Sequence, residues 1–273
     1  MRAHQILCIL LILLNVGGLS AQDKVLLELA TLPNTTYEIK TDYRSKQLIK
    51  FVGPVDELAR LQERGISIDS VATMKGTLRI LSLTESMNDT GEVPFTADLS
   101  YANPTTLNKY VHYDSVSTVA PPRTSLEQNC SAALSGNQFA RFTDISLAFS
   151  EMLEEVAVGD TLTGMTTLEM EMDEMKYKMD LKLRFELIEI YDGKAYFEVQ
   201  NQMLNPTVSG GRSQGCDGSG TGTGVVEYTI ASKMISYSNV DVEFNLSIDV
   251  GKKMHIIINS IVNVSSVQTM KPN

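Results

Sequence analysis

The stretch "TTLEMEMDEMKYKMDLKLRF", residues 166–185, decides how the chain is read. Five methionines, counting Met165, crowd a segment in which charged and apolar side chains alternate. As a helix, Leu168, Met172, Met175, Met179 and Leu183 fall three and four apart and form a stripe. That helix strands Met170, Tyr177, Leu181 and Phe185 on other faces. Two strands joined at Asp173-Glu174 strand none of them. Met172 then stands opposite Met175, Met170 opposite Tyr177 and Leu168 opposite Met179, and partners directly across a ladder share a face. The other face sets Glu171 against Lys176 and Glu169 against Lys178, each pair opposite in sign. One register accounts for the apolar and the charged residues together, so a hairpin is expected. Asp-Glu is a poor two-residue turn, which leaves the register open to a slip or the loop to lengthening.

The same alternation runs downstream. Leu181, Leu183, Phe185 and Leu187 continue it, and a phase change at Ile188 and Ile190 marks a bulge. Asp192-Gly193 is a strong hairpin signal, followed by Ala195, Phe197 and Val199. Beyond a glycine-rich segment read as a loop, Val226, Tyr228 and Ile230 alternate. So do Val240, Val242, Phe244, Leu246 and Ile248, and after "DVGKK" so do Met254, Ile256 and Ile258. Consecutive strands with one apolar face make an antiparallel meander, curved into a half-barrel or closed into a barrel.

Upstream the pattern is sparser. Tyr37, Ile39, Thr41 and Tyr43 suggest a strand, Leu78, Ile80 and Ser82 another, and Val93, Phe95, Ala97 and Leu99 a third. Between the first two, Pro54 suits a first helical turn and Gly65 a C-terminal cap. The helix near 54–64 carries Val55, Leu58, Ala59 and Leu61 as a stripe that could lie on the sheet. Pro121-Pro122 ends any strand. Ser125 with Gln128 resembles a capping box, and Ile145 to Val156 offers another helical stripe. The expected class is mainly β (α+β) with one to three short helices. The expected parts are a segment 1–21 for export, a β half over 22–122, a helical or irregular connector over 123–157 and an antiparallel half over 158–273. "LPNTTYEIKTDY" and "VGDTLTGMTTLEMEM" look like one event repeated at an offset of about 125 residues.

Residues 1–21 hold one arginine, an apolar run from Ile6 to Leu14 and small residues up to Ala21, the layout of a secretory signal cleaved near Ala21. The run is too short for a spanning helix, which needs about 20 residues. The expected location is therefore periplasmic or secreted, with no membrane span. Removing Arg2 leaves 22 basic against 33 acidic residues, a net charge of −11. Such a surface repels phosphate backbones, so nucleic acid is not an expected partner. Cys130 and Cys216 survive processing. An oxidising compartment permits a disulfide between them; the alternative is two unpaired thiols.

Chemistry-bearing motifs are thin. "GRSQG" matches the serine-hydrolase elbow at Ser213, but that motif works at a strand-to-helix turn beside a histidine. Here glycines and a strand follow, and only His112 and His255 remain as bases. "GSGTGTG" lacks the spacing of a dinucleotide fingerprint. Asp217, Ser219 and Thr221 could hold a hard cation only loosely, and histidines and cysteines do not cluster as zinc requires. No catalytic residue, metal site or cofactor is expected, and the chain reads as non-enzymatic. Met170, Met172 and Met175 raise the one sharp alternative, a Cu(I) site of soft thioethers. Against it, no histidine or cysteine accompanies them, and methionine is an adaptable filler of apolar cavities.

At "YEIKTDY", "PVDELARLQERGI", "MKGTLRI" and "VGDTLTG…GTGTGVVEYTI" the chain resembles an uncharacterised exported family of Gram-negative bacteria, a domain of unknown function. The resemblance covers most of the chain after residue 21, through short motifs. It implies a curved half-barrel like those of lipoprotein carriers, with an apolar concave face covered by helices, and it brings no catalytic residues. The candidate ligand wall is Leu168, Met170, Met172, Met175, Tyr177, Met179, Leu181, Leu183 and Phe185, facing an apolar small molecule or a lipidated partner. The alternative is a structural or interaction module of the cell envelope, meeting an envelope protein through edge strands and holding no small ligand.

Overall fold

The computed structural model describes residues 24–89, 91, 93–103, 106–117, 155–172, 175–209, 213–250 and 253–273. The described residues form twelve strands and one helix: β1 (Lys24–Leu26), β2 (Thr35–Val52), α1 (Val55–Glu63), β3 (Asp69–Thr84), β4 (Val93–Asn103), β5 (Thr106–Ser117), β6 (Glu155–Ala157), β7 (Thr161–Met172), β8 (Met175–Tyr191), β9 (Lys194–Ser209), β10 (Ser213–Thr229), β11 (Met234–Val250) and β12 (Met254–Pro272). Ten of them make one sheet in the order β5-β4-β3-β2-β12-β11-β10-β9-β8-β7, and β1 pairs with β6 separately. Every pairing is antiparallel. The sheet is a long curved meander that stops short of closure. β5 and β7 end it, and no pairing joins them among the described residues. The half-barrel expectation stands, and the closed barrel does not.

Alternation positions the core. Along β2, Tyr37, Ile39, Thr41, Tyr43, Ser45 and Gln47 are buried, while Glu38, Lys40, Arg44, Lys46 and Lys50 face outward into water. β2 and β12 pair over their whole lengths, from Val52 with His255 to Thr35 with Pro272, so the N-terminal and C-terminal strands share one sheet. The Asp192-Gly193 turn is a two-residue hairpin between Tyr191 and Lys194, both central residues at positive φ (50° and 72°). This is the type I′ geometry that matches strand twist. The expected bulge is there as well: Leu187 opposes Phe197 and Glu189 opposes Tyr196, which leaves Ile188 as the extra residue.

The glycine-rich segment, expected to be a loop, is instead the middle of β10. Gly218, Gly220, Gly222 and Gly224 pair with Leu246, Phe244, Val242 and Val240 of β11. A Cβ on Gly220 would lie 2.7 Å from the Cβ of Phe244, and one on Gly224 2.6 Å from the Cγ2 of Val240. β10 therefore approaches β11 more closely than any side chain allows. Glycine inside a strand marks such close approach and bending.

Helix α1 begins after Pro54 with Asp56 and Glu57 in its first turn. It ends in a Schellman motif: the Gly65 N–H bonds the Gln62 carbonyl, the Ile66 N–H bonds the Leu61 carbonyl, and Gly65 sits at φ 79°. Its expected contact with the sheet is not made. None of its residues is buried, and Val55 is 83% exposed. The stripe is too narrow to seat a helix of nine residues. The short helix at Ser125 lies outside the described residues, as does most of the stretch from Ile145. Its last residue, Val156, is a strand residue of β6 paired with Val25.

Candidate functional site: the inner face of the sheet

The methionine hairpin has the register its residues demand. Met172 opposes Met175, Glu171 opposes Lys176, Met170 opposes Tyr177, Glu169 opposes Lys178 and Leu168 opposes Met179. For Leu168, Met170, Met172, Met175 and Tyr177 the description is of backbone pairing alone. The remaining candidates, Met179, Leu181, Leu183 and Phe185, are buried on the inner face of β8. β8 thus carries six of the nine wall residues, these four buried among them, and β7 carries the other three beside it in register.

Two buried clusters divide the inner face. The first joins Val25, Leu27, Leu29 and Val156 to Leu162, Phe185, Leu187, Phe197 and Tyr228. The β1–β6 pair and the chain after β1 thereby plug the end of the sheet where β7 starts and β8 finishes. Several inward hydroxyls at this end have partners, although Ser82 Oγ beside Tyr37 has none. The Tyr228 hydroxyl donates to the Glu28 carbonyl at 2.7 Å, and the Tyr37 hydroxyl accepts the Leu32 N–H at 2.7 Å. Burial pushes both phenols above their ordinary pKa, and the backbone bonds pull the other way. Thr84 Oγ1 bonds the Leu32 carbonyl at 2.8 Å and accepts the Thr35 N–H at 2.8 Å. Lys233 Nζ reaches Glu28 Oε2 at 2.6 Å and ties down the segment after β1.

The second cluster holds Met179, Leu181, Met203, Phe244, Leu246, Ile248, Ile256 and Ile258, with Ile49 and Phe51 packed against it. Every described residue in it belongs to the sheet itself. Two neighbouring rows cross this part of the face. One runs Leu183–Asn201–Gly222–Val242–Val262–Ser45, the next Leu181–Met203–Gly220–Phe244–Ser260–Gln47. Here polar atoms lack partners: Ser45 Oγ, Ser260 Oγ and both amide atoms of Asn201. Asn201 lies over Gly222, whose missing Cβ would fall 2.5 Å from its Nδ2 and 2.7 Å from its Oδ1. Sequence reasoning missed these residues because serine and asparagine interrupt an apolar alternation instead of extending it.

The other singled-out residues do not assemble. Ser213 opens strand β10, so the strand-to-helix turn of a hydrolase elbow is not formed there. His255 is on the exposed face and bonds Asp249 at 2.7 Å; the His112 backbone lies in β5. Asp217, Ser219 and Thr221 all face outward on β10. Among the described residues, no group of three His, Cys, Asp or Glu could hold a metal ion. Cys216 is a free, half-buried thiol. Burial raises its pKa, and Asp217 and Asp249 raise it further. Cys130 lies outside the described residues. No helix among the described residues is long and apolar enough to cross a membrane.

No family model and no curated protein matches the chain. Among solved structures it is similar to a mutant of the Rh. blastica porin at 7% identity, covering 85% of this chain and 100% of that one, with a TM-score of 0.27. It is also similar to OpdL of Pseudomonas aeruginosa at 6% identity, covering 87% and 99%, again with a TM-score of 0.27. Scores this low carry no argument about this chain.

Proposed function

We propose that this is an exported, non-enzymatic protein that holds an apolar ligand, or the lipid of a lipidated partner, against the inner face of its curved sheet. The observation that carries the reading is the difference between the two ends of that face. One end is plugged by β1 and β6. Toward the other, the buried cluster consists, among the described residues, of sheet residues, leading to the methionine hairpin at Met172 and Met175. Flexible thioethers suit a surface that accepts varied greasy shapes. The outward charges of β2 face water, because lysine and arginine on a lipid face cost about 2–4 kcal/mol each at mid-bilayer. An apolar inside behind a charged outside is the layout of a soluble carrier. The signal-like first 21 residues support export.

The test is solvent extraction of the protein purified from its native envelope, with mass spectrometry of the extract, alongside titration with N-phenyl-1-naphthylamine. A co-purifying lipid and saturable probe fluorescence are expected. A clean extract with no probe binding overturns the reading.

A second reading has its own observation. On the outer face Leu48, Val71 and Ile261 are 42%, 60% and 51% exposed and line one shallow groove of about 370 Å³ beside Lys46 and Glu243. That groove supports an envelope interaction module. Crosslinking from a photoreactive residue at position 71 tests it, and the absence of any protein adduct in envelope extract removes it.

A further inference from the structure

We propose that the outer face of β2 and β3 docks the protein on an anionic lipid surface through Lys40, Arg44, Lys46, Lys75 and Arg79. Such docking does not depend on the apolar-ligand reading, and it gives this face an occupant other than the protein partner considered for the Leu48–Val71 groove. All five side chains are exposed, alternating with the buried Ile39, Tyr43, Leu78 and Ile80 of the inner face. The register sets Lys40 directly opposite Arg79 and Arg44 directly opposite Lys75. Like charges directly across a ladder are destabilising. Other charged positions in the sheet are matched: the same two strands set Lys50 against Asp69, and β7 and β8 set Glu169 against Lys178 and Glu171 against Lys176. The acidic pair Glu186 and Glu198 is relieved by Arg184, 3.3 Å from Glu186. On β2 and β3 relief is scant. Asp42, between the two basic pairs, accepts from Lys40 at 2.8 Å and from Thr77 at 2.6 Å. Among the described residues no other carboxylate forms an ion pair with the five cations.

The flanking strands add no charge. Opposite Lys40, Asp42, Arg44 and Lys46, β12 carries Val267, Ser265, Asn263 and Ile261, and β4 sets Ser100 against Arg79 and Ala102 against Thr77. Acids return at the rim, with Glu38 on β2, Asp98 on β4, and Asp241 and Glu243 on β11. Five cations against one carboxylate therefore stand together in a chain of 33 acidic and 23 basic residues. The overall negative charge does not cancel them at contact, because salt screens exposed charges beyond about 8–10 Å. From Lys40 to Lys46 the patch runs about 20 Å along the strand, so it meets many phosphates and not one. The outer side of the curved sheet is convex, a shape that cannot enclose a small anion but can lie against a plane. Leu81, Val267 and Ile261 border the cations and are exposed. Aliphatic side chains beside lysine and arginine suit the boundary between headgroups and acyl chains, with the charges held on long stems at the phosphates and out of the hydrocarbon.

Sedimentation of the protein purified from its native envelope tests this, with vesicles of phosphatidylglycerol mixed equally with phosphatidylcholine and with vesicles of phosphatidylcholine alone. Binding to the anionic vesicles is expected, weakening as salt is raised, with little binding to the neutral ones. Each surface cation contributes about fivefold to such binding, so Arg44→Gln/Lys75→Gln should weaken it by about twentyfold or more. The same variant removes a like-charged pair and should be at least as stable as the parent in urea, which separates lost docking from lost folding. Lys178→Gln/Lys182→Gln takes the same charge from β8, five strands from β2 in the sheet, and should change binding by less than about threefold. No binding to anionic vesicles, equal binding to neutral ones, binding that survives Arg44→Gln/Lys75→Gln, or an equal loss in the β8 variant overturns the proposal. Tighter binding to poly-L-glutamate than to the vesicles, lost in the Arg44→Gln/Lys75→Gln variant, would assign the patch to an acidic protein and overturn the lipid assignment.

Discussion

The plugged end of the inner face and its glycine-backed middle are built from the same strands and solve the same problem differently. At the plugged end, Tyr228 and Tyr37 are 0% and 1% exposed, and each hydroxyl meets backbone from the segment following β1. In the middle, Asn201, Ser45 and Ser260 are about as deeply placed, and their side-chain polar atoms have no hydrogen-bond partner. The one exception to the division is Ser82, 1% exposed and unpartnered although it lies beside Tyr37. The difference teaches that a stretch of chain crossing the sheet satisfies inward hydroxyls that the ladder leaves over, although neighbouring strands can also pair their own, as Thr41 and Ser266 do at 3.1 Å. Strand backbone is already spent on the ladder and has little left for side chains.

The largest effect is expected at the glycines of β10. Gly222→Ala puts a methyl into the Asp241 carbonyl and the Asn201 amide, and the backbone is the part that cannot give. Overpacking against backbone should cost about 3 kcal/mol or more. Urea denaturation is the measurement. A variant as stable as the parent would show that the sheet need not bend as tightly as β10 and β11 do here, and the middle of the face would lose its distinctive shape.

How much of this was legible in the sequence differs along the same line. The methionine hairpin was readable because two independent demands, apolar residues on one side and opposite charges on the other, agreed on one register. The bulge at Ile188 and the turn at Asp192-Gly193 were readable because each leaves a local mark, a phase change or a turn dipeptide. The strand character of Gly218 to Gly224 was not, since glycine's own preference is against strand and the reason for it lies on β11. β1 and β6 are three residues each and have no period to detect. The inward serines and Asn201 broke the alternation that identified the other positions. Local rules reached the walls of the site. What closes one end and what lines the middle depend on segments far apart in sequence.

A pair of hydroxyl deletions sharpens the comparison directly. Tyr228→Phe removes a donor from the Glu28 carbonyl and an acceptor from the Glu28 N–H. It should cost about 1–2 kcal/mol and speed amide exchange in β1. Ser260→Ala removes a hydroxyl that nothing bonds, so in ligand-free protein it should change stability by less than about 0.5 kcal/mol in either direction. Equal losses from the two substitutions would mean that Ser260 is already satisfied, and the contrast between end and middle would go.

The smallest expected effect concerns acid, and it falls on the plugged end alone. Glu227 lies on the outer face where β10 and β11 shift register, which leaves Ser236 as the extra residue between Tyr237 and Ile235. Lys194 Nζ reaches its Oε1 at 2.7 Å, and Ser236 donates to the same oxygen. Burial pushes the carboxyl up, but the bonds from Lys194 and Ser236 together with the lysine's charge outweigh it and hold the pKa below the ordinary value. A carboxylate whose folded pKa is depressed adds stability that is present above the unfolded value, about 4.3 for glutamate, and fades as pH falls through the folded value. Glu227→Gln should therefore cost under about 1 kcal/mol at pH 7, as partly exposed pairs do, and flatten the acid side of the stability curve below about pH 4.3. Thermal melts from pH 7 to pH 3, with amide exchange followed separately in β1 and in the far part of β9 after Met203, measure both. If protection in β9 beyond Met203 falls with acid as early as in β1, the two ends unfold as one unit. The boundary between them is then one of hydrogen bonding and not of stability.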